Sequence, residues 1–286
     1  MNGKKTVRRK AGIKETGKVT VVIARHSGPY DNDRTCQSET AGSLKKEGKE
    51  AARRVAYERL VRTPKEERQK TDYLICASPT LWMDMIGQRA MQTGEEIINE
   101  FRQMLLQSGY TEQEASQYIL NLQNYKIGGS VVPDNRLKEP NTYGLARNYI
   151  KKVVERYGGY TKEFYENFLK GREMKDENPN AENEEDVAKR VNESVNEAFL
   201  LGQRYMKKTR RNITIILITH GEVLRSYLEQ YEKTVRDYEG NYNDGIVMEY
   251  TAYKAKDKVW KKYKRHGDFS AHMERDGQEG EEIDFM

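Results

Sequence analysis

Two stretches of this chain, residues 19–24 (Val-Thr-Val-Val-Ile-Ala) and 213–218 (Ile-Thr-Ile-Ile-Leu-Ile), are near-continuous runs of β-branched and aliphatic residues. Such runs suit strands buried on both faces, as in a parallel sheet with helices packed on either side. Each run stops at a histidine, in Arg25-His26 after the first and in Thr219-His220-Gly221 after the second. Ligands in open α/β sheets bind outside the carboxyl ends of the strands. Histidines remote in sequence are therefore expected to meet over one pocket. A third run, residues 73–77, ends at Ser78-Pro79 and adds a neighbouring strand.

The sequence between these runs supplies the helices that such a sheet needs. Leu44, Ala51, Ala52, Val55, Leu60 and Val61 predict a first crossover helix over about residues 44–62. Ile97, Ile98, Phe101 and Leu105 predict another after Arg89. Thr111-Glu112-Gln113-Glu114 is a capping box, and Ala115, Tyr118, Ile119 and Leu122 follow at helical spacing. Val187, Val191, Val195, Ala198, Phe199 and Met206 define an amphipathic helix leading to the second histidine. Strands alternating with helices in this way predict a three-layer αβα fold around a doubly wound, mostly parallel sheet.

The chemistry that fits paired histidines beside an arginine is that of a phosphoryl group. A neutral imidazole is a nucleophile able to form covalent intermediates. Arg25 supplies a planar fork of donors for phosphoryl oxygens, and a second histidine, if protonated, would hold the same anion. Ser78-Pro79 leads on to Arg89-Ala90-Met91-Gln92-Thr93, and residues 134–139 (Asp-Asn-Arg-Leu-Lys-Glu) precede Tyr143-Gly144.

Taken in order, these segments resemble the histidine phosphatase superfamily, in its phosphoglycerate mutase-like branch. Its members carry Arg-His-Gly after the first strand, Ser-Pro-Leu-x-Arg-Ala-x-Gln-Thr, a Leu-x-Glu segment near a glycine, and His-Gly after a late strand. Leu44, Gly48 and Ala51 resemble the family's first helix. Glu185-Asp186-Val187 with Arg190-Val191 is similar to the helix before the last catalytic strand, and Asn243 with Ile246 and Val247 to the strand that follows. The resemblance covers about residues 19–255. It implies phosphomonoester hydrolysis through a phosphohistidine on His26, with Arg25, Arg89 and His220 around the phosphate and Glu139 as general acid and base. It implies no metal and no cofactor, since an Arg/His cluster does what Mg²⁺ does in many phosphoryl-transfer sites.

Three departures from the family pattern bear on the site. Ser27 stands where the family has Gly, with Gly28 next, so the turn is expected to have moved by one residue and Ser27 to add a hydroxyl contact to the phosphate. Arg89 lies far beyond Ser78. The apolar segment 81–86 is expected to extend the helix by about two turns and to displace Arg89 in height. Pro140 follows Glu139 and predicts a rigid, extended acid loop, with Asp134 as the second candidate acid.

Composition bounds the rest. Of 286 residues, 33% are charged and mean hydropathy is −0.97, so part of the chain is expected in tails. Residues 1–18 are basic and residues 267–286 acidic. Both are expected to be disordered, flanking one catalytic domain over 19–266. The tyrosine-rich stretch at about 140–183 is read as a helical lid over the carboxyl edge of the strands. No run is long enough to span a membrane. The first residues lack the apolar core of a signal peptide, and Cys36 and Cys76 offer no disulfide framework, so a cytoplasmic location is expected. Asp31-Asn32-Asp33 reads as turn chemistry, and His266 and His272 as polar C-terminal residues.

The expected partner is a phosphorylated small molecule, with a phosphoprotein as a further option and no nucleic acid; the oligomeric state is open. The run after His26 does not resemble the mutases' carboxylate-holding segment, so phosphoglycerate interconversion is expected to be absent. A phosphomutase and a catalytically silent phosphate-binding or scaffold protein remain the alternatives.

Overall fold

The computed structural model describes residues 13–31, 42–79, 88–119, 130–140, 147–159, 161, 163, 179–231, 241–255, 267–275 and 278–282. Its strands are β1 (Ile13–Arg25), β2 (Thr71–Ala77), β3 (Val132–Pro133), β4 (Asn212–Thr219), β5 (Gly245–Ala255), β6 (Gly267–Arg275) and β7 (Gln278–Glu282). They form one seven-stranded sheet in the order β3-β2-β4-β1-β5-β6-β7. The half from β3 to β1 is parallel and the half from β1 to β7 antiparallel. The expected doubly wound α/β architecture is present, but the sheet is mixed rather than mostly parallel, because β5, β6 and β7 pair antiparallel as consecutive neighbours.

Both faces of the parallel half are covered, which is why its strands lack polar alternation. On one face Val22, Ala24, Ile75 and Ile216 pack with residues of α1 (Lys46–Arg62) and α3 (Arg89–Gln107). On the other, Val19, Val21, Ile23, Ile213 and Ile215 pack with α6 (Glu184–Thr209) and α7 (Gly221–Tyr231). A capping box between Asn183 and Asp186 opens α6, and Arg210 closes it in the left-handed conformation. The predicted capping box at Thr111 opens α4 (Glu112–Gln117), but that helix stops early. Ile119 instead makes a parallel bridge to Tyr73 and is fully buried, so sheet pairing takes the apolar residue that helical spacing assigned to the helix. The remaining helices are α2 (Lys65–Arg68) and α5 (Arg147–Arg156).

The chain's two ends depart from the expected tails. β1 already begins at Ile13. The acidic C-terminal stretch forms β6 and β7 instead of a disordered tail, with Ala271 and Met273 alternating into the core. Glu274, on the opposite face, is fully buried against Arg59 and Arg62 of α1, which neutralises the charge that marked this stretch as solvated. Of the expected lid, residues 140, 147–159, 161, 163 and 179–183 are described. The rest of it, the apolar segment 81–86, Asn32, Asp33 and His266 lie outside the described residues. Among the described residues, no helix is long and apolar enough to cross a membrane.

At the amino ends of the parallel strands, Asp72 of β2 is 2% exposed and fully paired. Arg211 donates to both its oxygens, Nε to Oδ2 at 2.6 Å and Nη2 to Oδ1 at 2.8 Å, and the Tyr205 hydroxyl donates to Oδ2 at 2.6 Å.

Candidate active site

At the carboxyl ends, backbone pairing continues one residue past the strands. His26 N donates to Thr219 O at 2.8 Å, Ser78 N to Ile218 O at 2.9 Å and Arg25 N to Asp244 O at 2.8 Å. His26, His220 and Ser78 are thereby set side by side, with the two imidazole centroids 5.3 Å apart. His220 Nε2 lies 3.0 Å from Ser78 Oγ.

The hydrogen bonds of His26 assign its tautomer. Its Nδ1 lies 2.7 Å from the Ser27 carbonyl oxygen, which can only accept, so Nδ1 carries the proton. Nε2 is then a lone pair, and Arg89 Nε donates to it at 2.9 Å. Burial pushes His26 well below the ordinary histidine range, and the Arg89 and Arg25 cations push it further, so the ring is neutral.

Arg89 is the first residue of α3, after a non-helical Gln88 (φ −106°, ψ 72°), and not a residue displaced along an extended helix. Thr93, one turn on, secures it. Thr93 Oγ1 donates to Arg89 O at 2.8 Å and accepts from Ser27 N at 3.0 Å. The Arg89 Nη2 group donates a hydrogen bond to Glu139 Oε1.

Ser27 corrects another expectation. Its hydroxyl donates to Gly48 O of α1 at 2.7 Å, so it ties the loop after His26 to the helix and does not offer its proton to the pocket. Gly48 permits the approach, since a Cβ there would lie 2.3 Å from Pro29 O.

Glu139 is 6% exposed and stands on a loop held at every carbonyl. Arg190 of α6 donates to Lys138 O at 2.7 Å and Glu139 O at 3.2 Å and also bonds Arg136 O. Thr219 Oγ1 donates to Leu137 O at 2.7 Å. The carboxyl lies between Arg89 and His220, whose Nδ1 is 3.3 Å from Oε1. Its other oxygen, Oε2, is buried and makes no hydrogen bond. Burial pushes Glu139 up to about 8; the Arg89 cation opposes this, and the Glu222 carboxylate of α7 adds to it. The carboxyl is therefore an acid at neutral pH.

The same field acts on His220. Burial, then the Arg89 cation, with Arg25 and Arg190 adding to it, hold it well below the ordinary range, so this ring too is neutral. Asp134, the second candidate acid, is bonded by Arg136 and by the Ser194 hydroxyl at 2.7 Å; these bonds outweigh its burial and hold it below the usual range. Asp134 is a fixed anion and no acid.

Two aromatic rings went unnoticed in the sequence. Tyr30 and Tyr242 lie 5.6 and 5.8 Å from the His26 ring, with Arg89 over the face of Tyr30 at 4.6 Å and Arg25 over Tyr242 at 4.3 Å. Neither falls in a motif, and only the fold brings them here. Among the described residues, no group of three His, Cys, Asp or Glu side chains is arranged to hold a metal ion.

No family model and no curated protein matches the chain. Among solved structures, phosphoglycerate mutase from Bacillus anthracis is similar at a TM-score of 0.49 and 13% identity, covering 84% of this chain and 92% of that one. The mycobacterial glucosyl-3-phosphoglycerate phosphatase is similar at a TM-score of 0.46 and 14% identity, covering 82% and 96%. With Arg25-His26, Ser78-Pro79, Arg89, Glu139 and His220-Gly221 gathered at the carboxyl ends of its strands, the chain resembles the histidine phosphatase superfamily.

Proposed function

We propose that this chain is a phosphomonoesterase that carries the phosphoryl group on His26. The observation that carries the reading is the His26 tautomer. A proton fixed on Nδ1 by the Ser27 carbonyl leaves Nε2 as a lone pair that faces the Arg89 guanidinium, which also bonds the Glu139 carboxyl. At pH 7 the histidines and Glu139 are neutral while the guanidinium groups of Arg25 and Arg89 are charged, which matches a phosphate dianion. Arg89 must leave Nε2 for the nucleophile to act. A phosphoryl oxygen competes for it well, because a charge-assisted bond to an anion is stronger than one to a neutral ring.

Nε2 then attacks phosphorus and the bond from phosphorus to the ester oxygen breaks, with Glu139 giving its proton to the departing oxygen. Water attacks the phosphohistidine, Glu139 takes a proton from it, and the N–P bond breaks to release phosphate. Arg25, Arg89 and His220 hold the phosphoryl oxygens, and the approaching anion favours protonation of His220. Arg190 positions Glu139.

The test is hydrolysis of p-nitrophenyl phosphate by wild type and by His26→Ala, with EDTA throughout. Turnover that survives EDTA and falls to background in the variant is expected. Equal turnover by both proteins would sink the assignment. A non-catalytic phosphate-binding protein is the second reading, favoured by the seat of Arg89 on the nucleophilic lone pair. Vanadate binding by folded protein without turnover would select it.

A further inference from the structure

Two tyrosines from opposite ends of the chain meet over His26. Tyr30 bridges Leu44 at the entry to α1. Tyr242 stands in the turn before β5, closed by Asn241 N donating to Asp244 Oδ2 at 3.1 Å and by a left-handed Asn243 (φ 66°). Asp244 O in turn accepts from Arg25 N, so the turn is anchored on the catalytic strand. The rings lie 6.3 Å apart, nearly perpendicular at 89°.

Gly28 shows that this placement is built into the loop. A Cβ on Gly28 would lie 2.5–2.6 Å from three ring carbons of Tyr242. No left-handed φ forces glycine there, so the missing side chain serves the ring alone. The departure from the Arg-His-Gly pattern thus acquires a reason: Ser27 ties the loop to α1, and Gly28 seats Tyr242 against the nucleophile.

The tyrosine faces are occupied by the two guanidinium groups proposed to bind phosphate. A cation on an aromatic face is held more weakly than by a phosphoryl anion. When phosphate draws Arg25 and Arg89 to its oxygens, two aromatic faces become free beside the reacting centre. We propose that Tyr30 and Tyr242 form an aromatic wall that selects phosphomonoesters of flat, aromatic alcohols over those of compact alkyl alcohols. Rings pair favourably edge-to-face or offset at centroid distances like those seen here. Tyr242 is 37% exposed, so a leaving group reaches it from outside. This inference rests on the phosphate site of the preceding section, though not on its turnover.

Non-hydrolysable phosphonates separate the two. Wild type is expected to bind phenylphosphonate about three- to tenfold more tightly than methylphosphonate by calorimetry, the worth of one aromatic contact. Tyr242→Leu, Tyr30→Leu and Gly28→Ala should bring the ratio toward one, while Tyr242→Phe keeps it. Tyr242 is part-exposed on a turn, so its replacement tests the wall without emptying the core. A wild-type ratio of one, or a ratio unmoved by either leucine variant, overturns the wall even if His26-dependent turnover stands. A ratio that behaves as expected without turnover upholds the wall and removes the catalytic reading. No binding of either phosphonate overturns both.

Discussion

Asp72 and Glu139 are both carboxylates almost sealed from solvent, at opposite ends of the same parallel strands, and they are treated in opposite ways. At the amino ends, Asp72 receives three hydrogen bonds from Arg211 and Tyr205, and both oxygens are satisfied. At the carboxyl ends, Glu139 shares one oxygen with Arg89 and His220 and leaves Oε2 buried with no hydrogen bond. A buried carboxylate with its lone pairs filled is a structural anion, whereas one left half-satisfied holds a proton. Burial alone does not distinguish structure from function here; satisfaction does.

Breaking each end tests that difference. Glu139→Gln should reduce kcat/KM for alkyl phosphates by about 10²–10⁴-fold, the usual worth of a general acid, and for p-nitrophenyl phosphate far less. Equal losses on both esters in steady-state assays would remove Glu139 as the acid. Asp72→Ala should do the reverse, lowering stability by about 2 kcal/mol with turnover per folded molecule unchanged. That figure is below the usual cost of a broken buried pair, because Arg211 is part-exposed. Urea denaturation read beside activity distinguishes the two patterns.

Arg190→Ala should cost about 10²-fold in kcat with a smaller change in KM, since it displaces the acid loop without touching substrate. Arg190→Lys should restore little, because one ammonium cannot replace a fork spread over three carbonyls.

The smallest effect is in pH dependence. Glu139 binds its proton more tightly in the folded chain, at about 8, than in the unfolded one. Its contribution to stability is therefore present at low pH and is lost as pH rises from the unfolded value through about 8. His26 and His220 are lowered by folding, so theirs is lost as pH falls below the ordinary histidine value. The melting temperature of wild type should fall relative to Glu139→Gln between about pH 5 and 8. A constant difference would show that Glu139 is ionised throughout. For alkyl phosphates kcat/KM should decline above about pH 8 for the same reason.

The parallel half of the sheet was legible because its strands state their burial in composition: β1, β2 and β4 are apolar on both faces. The histidines at their ends followed from that. β6 was not legible, because its buried glutamate is neutralised by partners far away in sequence. Glu274 reads as solvated until Arg59 and Arg62 are placed over it. The C-terminal end of α4 was hidden for a related reason, since Ile119 fits helical spacing and sheet pairing equally. Within the site, motifs identified the residues proposed to act on phosphate. Those that hold such residues in place (Thr93, Arg190 and the Gly28–Tyr242 contact) depend on packing between distant segments. No local pattern announces them.

Thr93 accepts from the backbone of the nucleophile loop and donates to the carbonyl of Arg89, so the first turn of α3 is latched directly to that loop. One hydroxyl thus couples the loop that carries His26 to the helix that carries Arg89, so that the two move as a single piece.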